Sequence, residues 1–211
     1  MHIKSFTFNH FYENTYVMSL GTHAIIIDPG CYTDDEKHIL DEYITKNDLK
    51  PVAIINTHCH IDHVVGNYHC KTKYKIPLYI HKLEIPILKA AEVLASSYGF
   101  IPYHHADETN YINENEQLKF IGINFDVLWV PGHAPGHVAF VHHASGSVLS
   151  GDVIFYESIG RTDIPYGNYN DLTNSILQKL YKLPPHYKVY PGHGKPTTIA
   201  HEMKHNPFVK I

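Results

Sequence analysis

Little in this chain of 211 residues suggests a secreted, membrane-embedded or nucleic-acid-binding protein. It has only three cysteines, Cys31, Cys59 and Cys70, an odd number without C-x-x-C spacing. That excludes a disulfide scaffold and points to free thiols in a reducing compartment. No apolar run is long enough to span a bilayer, and the opening MHIKSFTFNHFYENTYVMSL alternates and carries His, Asn and Glu, unlike a secretory signal. The cytoplasm is the expected location, and no membrane partner is expected. Lys and Arg number 17 against 21 acidic residues, for a net charge of −4, with no basic run or basic helix face, which argues against nucleic acid. There is no G-x-S-x-G and no Cys within a visible His–Asn set, which removes the common serine and cysteine nucleophiles. No solenoid repeat or low-complexity linker divides the chain, so one domain, 1–211, is expected, long enough to bury its core without staples.

What the chain has in excess is histidine, 19 residues, alongside 16 tyrosines. The first third reads as strands: IKSFTF alternates, TYVMSL follows, and HAIII ends at Asp-Pro-Gly. TDDEKHILDEYITKND opens with Thr33 and acidic residues and places Ile39, Leu40, Tyr43 and Ile44 at helical spacing. VAIINT and IPLYIH read as strands. KLEIPILKAAEVLASSYGF reads as a helix whose start Pro86 limits, and FIPYHHADETNYINENE as a polar, aromatic loop. Strands return in LKFIGINFDVLWV, HVAFVHH, GSVLSG and YKVY. YNDLTNSILQKLYKL, with Asn170 or Asp171 near its start, and TTIAHEMKH supply helices. Two mixed sheets with helices outside them account for this order.

The chemistry concentrates in INTHCHIDHVVGN, at the end of an apolar strand. His58 and His60 are two apart and project to one side of an extended chain, while Cys59 projects to the other and reads as packed and inert. Asp62 and His63 follow where the chain turns. Four ligands from so short a segment crowd one ion, so two ions are the easier solution. Three further donors sit just past apolar runs beside Gly: His133 in VPGHAPGH, Asp152 in VLSGD and His193 in VYPGHG. His137 falls near the site as a residue that orients a ligand. His69, His81, His104, His105, His142 and His143 lack this context and read as surface or locally bonded.

THCHIDH, PGHAPGH, SGD and PGHG resemble, in order, the motifs of the metallo-β-lactamase superfamily. SGDVIFYESIGRTDIPYGN, NTYVM, IIIDPG and HNPFV resemble its small glyoxalase II-like branch. The resemblance implies an α+β fold, a four-layer αββα sandwich of two mixed β-sheets with helices on both outer faces. It also implies two divalent metals per chain, zinc first, with iron or manganese as the other choices. His58, His60 and His133 would hold one metal and Asp62, His63 and His193 the other, with Asp152 bridging. Asp62 and Asp152 are the expected catalytic residues.

A hydroxide shared by two dications would attack an acyl carbon. A thiolate, with a thiol pKa of about 8.5, leaves without a proton where an amine does not. The expected substrate is therefore a small anionic acyl thioester, a 2-hydroxyacyl thiol in the glyoxalase II manner. Arg161 could take its carboxylate as a fork, or simply pair with Asp163, and Tyr156 could line the same pocket. The tail KPTTIAHEMKHNPFVKI is shorter than the helical region with which glyoxalase II binds glutathione, and the segment 83–112 is a candidate lid or self-association surface. The alternatives are a one-iron persulfide dioxygenase using His58, His133 and Asp152, and a lactone hydrolase.

Overall fold

The computed structural model describes residues 1–107, 110–114 and 116–210. They form two six-stranded mixed sheets, a short hairpin and six α-helices. The chain divides into two compact units: Met1–Ile112 with Lys119–Ile123, and Asn113–Leu118 with the chain from Asn124 onward.

In the first unit the sheet runs β1 (His2–Phe8), β2 (Glu13–Leu20), β3 (His23–Ile27), β4 (Lys50–Ile55), β5 (Leu78–His81) and β6 (Asn110–Ile112). β1 to β3 form an antiparallel meander, whereas β3 to β6 are parallel. Parallel neighbours need crossovers. Here these contain α1 (Asp34–Lys46), the pair α2 (Ile61–Val64) and α3 (Asn67–Tyr74), and α4 (Ile85–Leu94). Met18, Ile25, Ile26, Ile27, Ile54 and Ile55 are all fully buried, which is why these strands read as unbroken apolar runs.

α1 starts with a capping box: the Glu36 amide donates to Thr33 Oγ1 and the Thr33 amide donates to the Glu36 carboxylate. Leu40 and Ile44 face the core, but Ile39, expected on that face, is exposed. Pro86 sits in the first turn of α4, where its missing N–H costs nothing. β6 lies in the stretch expected to be a loop. The segment 83–112 exposes Val93, Leu94, Tyr98 and Ile101, and its residues 108 and 109 lie outside the described ones.

The second sheet runs β14 (Thr197–Thr198), β13 (Lys188–Pro191), β10 (Ser147–Gly151), β9 (Val138–His142), β8 (Ile123–Trp129) and β7 (Gln117–Phe120), and β11 (Ile154–Phe155) pairs with β12 (Ser158–Ile159). Antiparallel β8/β9 and β9/β10 pairs and a parallel β10/β13 pair make β8, β10 and β13 end at one edge. Val130, Val141, Val148 and Val189 pack with Leu172, Ile176 and Leu180, and so seat α5 (Tyr169–Gln178), while Ile199 of α6 (Ile199–His205) joins the same cluster. The cap of α5 is Asn168, two residues before Asn170, the earlier of the two residues expected near its start. Its side chain accepts from the amides of Asn170 and Asp171.

The turn before His133 is pressed against α5. Gly132 has φ +132°, and a Cβ there would lie 2.2 Å from the Leu172 amide nitrogen. Gly21, with φ +58°, has open space around it. Gly21→Ala should therefore cost only the left-handed strain, about 1–2 kcal/mol. Gly132→Ala should cost more than about 3 kcal/mol, from strain and collision together. Urea denaturation of both variants checks the ordering.

Candidate metal centre

In the first unit the donors sit past the carboxyl end of β4. His58 and His63 are fully buried, Asp62 nearly so, and His60 is partly exposed at the start of α2. The His58 ring lies 4.8 Å from His60, almost perpendicular to it, and 4.2 Å from His63. His63 Nε2 lies 3.6 Å from Asp62 Oδ2.

Asp28, just past β3, organises this group. Its Oδ1 accepts from the Thr57 amide at 2.7 Å and from Asn56 Nδ2 at 3.3 Å. Its Oδ2 accepts from Thr57 Oγ1 at 2.6 Å and from His63 Nδ1 at 3.2 Å. Asp28, His58 and His63 each offer a donor atom within 4.8 Å of one another, but four accepted bonds already occupy the Asp28 carboxylate, whose contacts orient Thr57 and His63. The arrangement also assigns tautomers. A carboxylate only accepts, so His63 Nδ1 carries a proton, and the neutral ring has its electron pair on Nε2. Thr57 gives its hydroxyl proton to Asp28, so its oxygen accepts from His58 Nδ1 at 3.0 Å, and the His58 electron pair is again on Nε2. Burial raises the neighbouring Glu13 carboxyl well above the ordinary range, partly opposed by His63.

The second unit carries the other three donors. His133 follows β8, Asp152 follows β10 and His193 follows β13. Asp152 Oδ2 lies 3.6 Å from His133 Nε2 and 3.5 Å from His193 Nε2. His133 Nδ1 donates to the Arg161 carbonyl at 2.8 Å, which leaves Nε2 as the atom that faces Asp152. His137, buried, accepts the Asp152 amide on Nε2 at 3.0 Å and fixes the backbone of that residue.

These pairs test the fit of a cation. His63 with Asp62, and His133 with Asp152, each set an imidazole Nε2 3.6 Å from a carboxylate oxygen. That separation is too long for a hydrogen bond. It is close to the edge of a tetrahedron whose corners lie about 2.0–2.1 Å from a central zinc, roughly 3.4 Å. Imidazole and carboxylate donors suit zinc, iron or manganese.

The other expected site residues lie within the second unit. The exposed Arg161 side chain forms a two-pronged pair with Asp163, at 2.9 and 3.1 Å, which holds the Asp163 carboxyl below its usual range. Its main chain, not its guanidinium, is what touches His133. Tyr156 is stacked on His201, with Lys195 Nζ 3.4 Å from its ring centre. The remaining histidines make local contacts: His69 with Asp41, His81 with the Leu83 amide, His104 with the Tyr68 ring, His105 with Asp107, His142 with Ser145 and His143 with Tyr187. All three cysteines are buried and unbridged. No described helix is long and apolar enough to cross a membrane. Asp28, Thr57 and Glu13 were not anticipated from sequence; the polar residues closing two apolar runs, IIIDPG and AIINT, were the available signal.

Comparison with known proteins places these residues in a wider set. The profile of the metallo-beta-lactamase superfamily matches residues 9–193. A hydroxyacylglutathione hydrolase of Haemophilus influenzae is 34% identical over 189 residues, covering 89% of this chain and 87% of that protein. The crystal structure of the B3 metallo-beta-lactamase BLEG-1 superposes with a TM-score of 0.88 at 33% identity, covering 99% of both chains. A di-iron-bound form of TTHA1623 superposes with a TM-score of 0.85 at 36% identity, covering 98% of this chain and all of that one. The two mixed sheets and their helices are thus those of the metallo-beta-lactamase fold.

Replacing Asp28 by Asn turns one acceptor into a donor amid four donors. Asp28→Asn should destabilise the protein by about 2–4 kcal/mol and weaken metal binding ten- to a hundred-fold. Denaturant titration and chelator competition read the two effects separately.

Proposed function

Since this chain belongs to the metallo-beta-lactamase superfamily and is a metallo-hydrolase of it, we propose that it hydrolyses small anionic acyl thioesters at a centre of two divalent ions. In this reading His58, His60 and His133 would hold one ion, Asp62, His63 and His193 would hold the other, and Asp152 would serve both. When bound, such ions lower the pKa of water and polarise an acyl oxygen, which makes hydrolysis possible at neutral pH. The observation that carries the reading is the approach of imidazole nitrogens to carboxylate oxygens at 3.5–3.6 Å, near the spacing of two ligands on one ion. The residues matched by the family profile, 9–193, span all seven donors, and the Haemophilus influenzae relative is a hydroxyacylglutathione hydrolase, which supports the substrate class. Zinc and iron both suit the donors, and the di-iron form of TTHA1623 keeps iron in view.

The chain's own residues then have distinct tasks. Asp62, fixed at the start of α2, orients the attacking oxygen. Arg161 exchanges its exposed partner Asp163 for a substrate carboxylate, and Tyr156, held between Lys195 and His201, flanks the acyl chain. The thiolate leaves without a general acid, because a thiol with a pKa of about 8.5 is a stable enough anion at neutral pH.

Metal analysis of the purified protein should find two ions per chain. Assays with a 2-hydroxyacyl thioester, a lactone, a β-lactam and a persulfide under oxygen should give the highest kcat/KM for the thioester. One iron with oxygen uptake, or preferred β-lactam or lactone turnover, would sink the proposal. Arg161→Ala should raise KM for the anionic thioester about ten-fold with kcat nearly unchanged. Its melting temperature should stay within about 2 °C of wild type, since an exposed ion pair contributes little stability.

A further inference from the structure

We propose that Glu84 is a positioning residue for the metal centre, acting through the amide of Cys59. The proposal rests on the reading of His58 and His60 as ligands. β4 and β5 are parallel neighbours, with Ile54 opposite Leu78 and Ile55 opposite Tyr79, and the Asn56 amide still bonds the Tyr79 carbonyl at 3.0 Å. The chain therefore leaves both strands side by side. From β4 it enters the His58–Cys59–His60 stretch, and from β5 a single 3-10 turn, Lys82–Glu84. Glu84 closes that turn, fully buried, and its Oε2 accepts the Cys59 amide at 2.8 Å.

A buried carboxylate carries a large desolvation cost, and a space-filling role would be served better by an apolar residue. What the carboxylate provides here is direction. Cys59 lies between two imidazoles, and its own side chain is buried away from solvent. Holding its amide fixes the peptide plane that joins His58 to Cys59, and with it the angle at which the neighbouring rings project. The bond is short, 2.8 Å, and runs from a backbone amide to a side-chain oxygen that no solvent reaches. Glu84 does for the backbone of this stretch what Asp28 does for the His63 ring.

The test uses Glu84→Gln, which keeps an acceptor oxygen within reach, and Glu84→Met, which fills similar volume without one. Zinc affinity is measured by chelator competition, and the visible bands of the cobalt(II)-loaded protein report ligand geometry. Glu84→Met should bind zinc ten- to a hundred-fold more weakly and shift the cobalt bands, and Glu84→Gln should recover most of both. A merely structural role would lower the melting temperature of the metal-free variants and leave affinity and bands at wild-type values, and that result overturns the proposal. If Glu84→Met fails to fold, Glu84→Asp, whose acceptor is drawn back by one methylene, replaces it under the same criterion. His58→Ala runs alongside. Undiminished zinc binding there would defeat the metal-centre reading itself. Loss of zinc in His58→Ala with wild-type binding in the folded Met or Asp variant would defeat only the assignment of Glu84.

Discussion

Imidazole nitrogens held close to carboxylate oxygens, yet beyond hydrogen-bond length, are the constraint on which the rest depends. An imidazole nitrogen and a carboxylate oxygen at 3.6 Å gain no hydrogen bond from each other, and the fold must hold them there. It does so by fixing the opposite end of each ring. His63 is held by Asp28, His58 by Thr57 and His133 by the Arg161 carbonyl, so each of these Nδ1 atoms is committed and each Nε2 is presented. The orientation of these rings is thus set by the fold itself.

Strand direction makes this placement economical. In the first unit β3, β4 and β5 are parallel and end together, so Asp28, the His58–His63 stretch and Glu84 emerge at one edge from three distant parts of the chain. In the second unit β8, β10 and β13 end at one edge and deliver His133, Asp152 and His193. Each of these donors follows a strand that packs on the core, and in the second unit a neighbouring Gly or Pro-Gly lets the chain turn at once.

Much of this was legible in the sequence because donors and apolar runs announce themselves. HAIII, VAII and SVLSG could only be buried strands, and THCHIDH at a strand end crowds donor side chains as metal sites do. What escaped depended on partners that a linear reading does not show. β6 is a strand because β5 offers it an edge, although its own composition reads as loop. Ile39 fits the helical period but lies outside the arc that α1 buries. α3 is polar, with only Asn67 and Cys70 buried, and gave no amphipathic signal. Asn168 caps α5 where the more acidic stretch after it drew attention. Glu84 and Asp28 were hidden for a related reason: a carboxylate looks the same in sequence whether it meets water or a backbone amide.

Arg161 separates two kinds of dependence at one position. Its guanidinium points to solvent and pairs with a neighbour, whereas its carbonyl anchors His133. Any amino acid supplies a carbonyl, so the anchor survives whatever side chain stands there. Swapping side chains at this point retunes what the surface recognises while the ring beneath stays moored, and a scan that reads only side chains would never register the mooring.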